Sequence, residues 1–124
     1  MMNSLSLVSI VDDDESIRES LPDLLKEFGF PSHTFSSAEE FLAFDGISET
    51  KCLILDIAMP GMSGPDLQRE LKRRRSSFPI IFITAQRDET VRTQMLESGA
   101  IACLFKPFND TALLDALNAA FPVK

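Results

Sequence analysis

The sequence predicts an α/β fold in which five parallel strands form one doubly wound sheet with helices on both faces. Three observations point there. Five short apolar runs, each about 4 to 7 residues long, alternate with amphipathic stretches of helical period. The strand–helix unit recurs five times, and right-handed crossovers then place the helices above and below a single sheet. The chain has 124 residues, 44% hydrophobic and 25% charged, which is the size and composition of one globular domain spanning residues 1–124.

The elements follow in order. Leu5–Val11 is the first strand, after which Ile17, Leu21, Leu24, Leu25 and Phe28 share one helical face. Pro22 lies inside that helix and removes the bond to the Arg18 carbonyl. In a regular interior this costs about 3 kcal/mol, so a bend or a later helix start is expected. Phe30–Phe35 is the second strand, and Ser37-Ala38-Glu39-Glu40 reads as a capping box ahead of Phe41 and Leu42. Cys52–Leu55 is the third strand, and Pro65 suits the first position of a helix carrying Leu67 and Leu71. Pro79–Ile83 is the fourth. A helix over roughly 87–98 then carries Val91, Met95 and Leu96, with Gly99 as its stop signal. Ile101–Phe105 is the fifth strand. Asn109 or Asp110 caps the last helix, whose buried face carries Leu113, Leu114, Leu117 and Phe121.

Composition narrows the function. A net charge of −7 argues against broad binding to nucleic acid or an anionic membrane. No apolar stretch approaches the roughly 20 residues of a membrane span, and the start, MMNSLSLVSI, lacks a basic signal-peptide region. Cys52 and Cys103 lie in apolar runs and read as reduced core thiols of a cytoplasmic protein. With His33 as the one histidine, the common zinc sites are nearly excluded. No P-loop or dinucleotide fingerprint appears. The run Lys72-Arg73-Arg74-Arg75 at a helix end complements the helix dipole in solvent. Met59 and Met62 read as packing residues.

In open α/β sheets the ligand crevice lies at the carboxyl ends of the strands. The first strand delivers Asp12, Asp13 and Asp14 there, the third Asp56, the fourth Thr84 and the fifth Lys106. Each has an ordinary explanation taken alone: helix-start charge, a turn before Pro-Gly, a helix cap, a solvated lysine. Their coincidence at one edge points to chemistry. Three carboxylates favour a hard divalent cation, which for Mg²⁺ keeps waters and takes phosphate as a further ligand. A carboxylate also serves as a phosphoryl-accepting nucleophile, with Lys106 and Thr84 placed to neutralise phosphoryl oxygens.

The acidic pair Asp12-Asp13, Asp56 in D-x-x-M-P-x-M-S-G, Thr84-Ala85 and Lys106-Pro107 together resemble the receiver domain of two-component response regulators. "SIVDDDESIRESL", "SSAEEFLAF" and "GAIACLFKPFNDTALLDAL" are most similar to the FixJ-like transcriptional group. The resemblance covers Leu7 to about Phe121. It implies a flavodoxin-like, CheY-like (βα)5 sheet of order 2-1-3-4-5. It implies Asp56 as phosphoryl acceptor from a sensor histidine kinase, with Mg²⁺ (or Mn²⁺) bound by Asp13 and Asp56 directly, Asp12 through water, and the Ala58 backbone carbonyl. Thr84 and Lys106 would bind the phosphoryl group, and Lys106-Pro107 would be a cis peptide. Asp14 and Glu15 lie outside this motif and read as helix-start charge.

By the same resemblance the domain is a signalling phosphoacceptor, not an enzyme acting on an external substrate. Its phosphotransfer and dephosphorylation would be self-catalysed. Phosphorylation would switch a homodimerisation or output face made by the fourth helix, fifth strand and fifth helix. DNA would be reached only through an output domain beyond Phe121-Pro122-Val123-Lys124, where a linker would start; the alternative is a stand-alone relay protein. The family's usual aromatic switch partner of Thr84 is replaced by Cys103. Ala58 and Gln86 stand where the family sets phosphoryl lifetime. A haloacid dehalogenase-type phosphatase is the enzymatic rival, but Asp12-Asp13-Asp14-Glu15 lacks its D-x-D-G pattern and the chain has no room for its cap.

Overall fold

A computed structural model describes residues 6–121. The chain alternates β1 (Val8–Val11), α1 (Glu15–Glu27), β2 (Ser32–Phe35), α2 (Ala38–Leu42), β3 (Cys52–Asp56), α3 (Gly64–Arg73), β4 (Ile80–Thr84), α4 (Glu89–Glu97), β5 (Ala102–Phe105) and α5 (Asp110–Ala120), with a short 3-10 turn at Ile47–Glu49. The strands form one parallel sheet in the order β2-β1-β3-β4-β5, as the resemblance implied. Leu5 and Pro122–Lys124, on which the first strand and the linker expectation draw, lie outside the described residues. Among the described residues no helix is long and apolar enough to cross a membrane.

Alternation along the central strands sends side chains to two separate cores. Val8, Ile10, Cys52, Ile54, Ile81, Ile83 and Leu104 pack against α1 and α5 through Leu21, Leu25, Leu113 and Leu117. Val11, Leu53, Leu55, Phe82 and Cys103 face α2 and α3 through Phe41, Leu67 and Leu71. Met59 and Met62 belong to this second core, so they do pack. Both cysteines are buried and unpaired.

Several local expectations are corrected. The first helix begins at Glu15 and runs through Pro22 without a later start, because Asp14 caps it by accepting from Ser16 N–H at 2.9 Å. Pro65 takes the second helical position, not the first, since Ser63 is the N-cap. There the reciprocal capping box is between Ser63 and Asp66. At Ser37 only half of the expected box forms: Ser37 Oγ accepts from Glu40 N–H, but Glu40 Oε1 accepts from Ser36 N–H. The fourth helix begins at Glu89, because Asp88 Oδ1 accepts the Thr90 and Val91 amides. Leu96 is 44% exposed, and Leu114 and Phe121, expected buried, are half-buried. The basic run is exposed, yet Lys72 Nζ donates to Ser98 O at 2.9 Å and Gln68 Nε2 to Ser98 Oγ at 3.1 Å, joining α3 to the end of α4.

Two backbone positions are costly. Arg75 closes α3 at φ 62°, a left-handed conformation that costs a residue with a side chain about 1–2 kcal/mol. Gly64 opens α3 against the end of β3, where its N–H donates to Ile57 O at 2.9 Å. A Cβ there would lie 2.4 Å from the Asp56 carbonyl oxygen and 3.1 Å from Ile57 Cα, both main-chain atoms that have little room to yield. Gly64→Ala should therefore destabilise the fold by about 1–3 kcal/mol, the range for overpacking. A urea titration should show a lower midpoint at unchanged slope; an unchanged midpoint would mean that β3 and α3 separate more easily than this contact allows.

Candidate functional site

The first, third, fourth and fifth strands bring their terminal residues to one edge. Asp12 follows β1 and is fully buried; Asp56 is the last residue of β3 and 4% exposed; Thr84 ends β4 and is buried. Asp56 pairs in register with Ile83, which places Thr84 one residue further along the neighbouring strand. Lys106 follows β5, and its backbone N–H donates to Thr84 O at 2.8 Å. The Lys106-Pro107 peptide is cis. Asp13 and Ala58 are exposed on the loops after β1 and β3.

The side chains converge. One carboxylate oxygen from each of Asp12, Asp13 and Asp56 lies within 4.8 Å of the others. Lys106 Nζ stands 2.8 Å from Asp12 Oδ2 and 3.5 Å from Asp56 Oδ1, so this lysine is anything but free in solvent. That ammonium is the partner of the fully buried Asp12 Oδ2, while Asp12 Oδ1 accepts from Asp14 N–H at 2.9 Å. The donor set is all carboxylate, three acids against the one ammonium of Lys106. Such a set fits a hard cation such as Mg²⁺.

Electrostatics follow from burial. Loss of water pushes the Asp56 carboxyl up to about 7, the Asp12 charge adds to the rise, and Lys106 opposes it. Burial draws the Lys106 ammonium down, but contact with Asp12 and the charges of Asp12 and Asp56 outweigh it and hold the group above its ordinary value. Asp14, in contrast, is exposed and held low by the Ser16 hydroxyl and amide, as a cap and not a member of the cluster. Thr84 does not cap the next helix; its Oγ1 accepts from Gln86 N–H at 3.1 Å within the loop that follows β4.

Three supporting residues escaped the sequence reading. Arg18 Nη1 donates to Asp12 O at 2.9 Å and so braces the acidic loop from α1. Glu39 Oε2 accepts from Met62 N–H at 3.1 Å, tying α2 to the loop that carries Ala58. Gly64 lets α3 start hard against Asp56. Only Gly64 left a signal, as the last residue of the M-S-G stretch. Around Cys103, which is buried on the α3 side, the guanidinium groups of Arg87 and Arg92 lie 5.7 and 5.0 Å from the Phe105 ring centre.

Both halves of this description, the strand order and the acids at its carboxyl edge, meet in one family. The model of the response regulator receiver domain matches residues 8–118, and the chain belongs to that family. It is 43% identical over 115 residues to nodulation protein W of Bradyrhizobium diazoefficiens, covering 93% of this chain and 51% of that one. The transcriptional regulatory protein FixJ of Rhizobium meliloti is 38% identical over 113 residues, covering 91% and 55%. The solved structure of the response regulator StyR superposes with a TM-score of 0.84 at 44% identity, covering 93% of this chain and 58% of that one. The chain spans about half the length of the curated relatives it matches. It is thus a two-component receiver, in a family whose members are phosphorylated by histidine kinases and bind Mg²⁺ at an aspartate cluster.

The buried acid has a measurable consequence. The folded state raises Asp56 from 3.8 to about 7, so between those values it holds a proton that the unfolded chain has released. The Asp56 contribution to stability therefore falls as pH rises from about 4 to about 7. Asp56→Asn lacks that decline. In EDTA its thermal midpoint should exceed that of the parent by at least about 3 °C above pH ~7, with the gap closing toward pH ~4. A gap independent of pH would contradict this account of Asp56.

Proposed function

We propose that Asp56 accepts a phosphoryl group from the phosphohistidine of a sensor histidine kinase. The observation that carries this reading is a buried carboxyl facing one ammonium at 3.5 Å and two further carboxylates within 4.8 Å. In the transfer an Asp56 oxygen bonds to phosphorus as the phosphorus–nitrogen bond breaks, and the imidazole leaves with the electron pair. Lys106 balances the charge of the phosphoryl oxygens, and the Thr84 hydroxyl binds one of them. Asp13, Asp56 and the Ala58 carbonyl would hold Mg²⁺ (or Mn²⁺) directly, with Asp12 acting through water. The metal would supply further neutralisation of phosphoryl charge. No external substrate is turned over, which makes this a phosphoacceptor of the cytoplasm and not an enzyme in the usual sense.

Residues 1–124 form the receiver. That the relatives of which this chain spans about half include the transcriptional regulatory protein FixJ supports transcriptional control through an output domain outside this sequence. The switch would run through α4, β5 and α5 to a homodimer or output contact. Thr84 and Phe105 are paired on adjacent strands. With Cys103 too small to sweep the space beneath α4, Phe105 and its two arginines are the bulky groups beside Thr84. The coupling between site and face is correspondingly weak.

Two measurements test these readings. Incubated with acetyl phosphate and Mg²⁺, the protein should gain about 80 Da by intact mass, and Asp56→Asn should not. An adduct of equal yield on the variant would move the acceptor elsewhere. In sedimentation, beryllofluoride with Mg²⁺ should increase the dimer fraction, and Cys103→Phe should widen the difference between free and bound forms by up to about 1 kcal/mol. A folded Cys103→Phe protein with an unchanged difference would clear Cys103 of any part in the coupling.

A further inference from the structure

The turns that lead into β3 and β4 line an open pocket of about 350 Å³ at the edge of the sheet opposite Asp56. Its polar lining is Lys51, Arg75, the hydroxyl residues Ser48, Ser76 and Ser77, and Thr50, whose Oγ1 is already hydrogen-bonded to Ser9 Oγ at 2.7 Å; Phe78 and Pro79 supply apolar wall. No carboxylate lines it, in a chain with 19 acidic residues against 12 lysines and arginines. Among the described residues Lys51 and Arg75 pair with no acid, as is also true of Arg18, Lys26, Lys72 and Arg87; what distinguishes these two is that they line one pocket together. Residues 1–5, Met-Met-Asn-Ser-Leu, contain no acid that would serve. The backbone N–H groups of Ser77 and Phe78 donate to no protein acceptor among the described residues. Arg75 occupies the left-handed backbone position described above, where glycine would be unstrained. That position caps α3: Arg75 N–H donates to Lys72 O at 3.0 Å and Ser76 N–H to Leu71 O at 2.9 Å, which fixes the Arg75 and Ser76 backbone beside the pocket.

We propose that this pocket binds a small organic phosphate. The phosphate is taken by Lys51, Arg75 and the serine hydroxyls, and an apolar or aromatic portion lies against Phe78 and Pro79. Two unpaired cations, three hydroxyls and two unspent amide donors without a competing carboxylate are the donor set of an anion site. The volume exceeds that of phosphate alone, and the remaining wall is an aromatic ring and a proline. The site stands a full strand away from the aspartate cluster, about 17 Å along the five residues of β3, so it is separate from phosphoryl transfer at Asp56.

Phenyl phosphate is a suitable probe, used in EDTA so that no transfer to Asp56 competes, with inorganic phosphate and phenol as controls. Amide shifts at Lys51, Ser76, Ser77 and Phe78 should titrate with phenyl phosphate, less strongly with inorganic phosphate and least with phenol. Arg75→Gly relaxes the backbone while removing the charge, so it should fold at least as stably as the parent. It should nevertheless bind about tenfold more weakly, the loss expected for one charged hydrogen-bond partner. Lys51→Gln should weaken binding similarly. Binding undiminished in both variants, or shifts confined to the aspartate end, would overturn the assignment. Equal affinity for inorganic phosphate would overturn its organic part.

Discussion

Asp12 and Asp56 are held out of water at the end of an apolar sheet, and one ammonium faces both. Removing a carboxylate from solvent costs several kcal/mol unless an opposite charge compensates, and Lys106 compensates two of them incompletely. The rest of the edge is arranged around that shortfall. Arg18 braces the Asp12 backbone from α1, Gly64 clears space for α3 beside Asp56, and the β5 backbone ties Lys106 to Thr84. The site is therefore poised by its own electrostatics: any added cation, or a phosphoryl group bringing one, meets carboxylates already assembled and only partly neutralised.

The other side of the sheet is held less firmly where α4 lies. This helix has no fully buried residue, while α3 beside it buries Leu67, Gln68 and Leu71. Its end is moored through Ser98 to Gln68 and Lys72, and Arg92 rests on Phe105. Elements with little buried apolar contact are those that open most cheaply. A receiver that signals through this face thus has its adjustable part where packing is thinnest, adjoining the residue that ends β4.

Much of this was legible from residue order alone. Four of the five runs mark strands by a continuous apolar signature of burial; β2, Ser-His-Thr-Phe at the sheet edge with burial only at Phe35, is placed by its neighbours in the pattern and not by apolar content. The polar residue at the end of four of these runs then marks the edge, which is how Asp12, Asp56, Thr84 and Lys106 were visible together. Helix boundaries were less visible. The start of α4 is set by Asp88, whose carboxylate accepts the Thr90 and Val91 amides, a contact that apolar spacing does not reveal. Leu96 carries the right period for burial but ends exposed, because α4 is only lightly seated on the sheet. Arg18 and Glu39 were hidden for a related reason. Each acts through a hydrogen bond to main chain 6 or 23 residues away, and nothing in local spacing encodes such a reach.

The bond from Lys106 N–H to Thr84 O also governs where the domain tolerates changes in length. It fixes the last residue of β4 against the first residue beyond β5, so hydroxyl and ammonium share one register. Inserting or deleting a single residue within either strand would slide one past the other by about 3.3 Å and turn alternate side chains to the opposite face. Thr84 and Lys106 would then no longer address the same point in space. An insertion in the turn between α4 and β5, around Gly99, leaves that pairing untouched and lengthens only a surface connection. Natural or engineered length variation that preserves the site is thus confined to the turns at the amino ends of the strands.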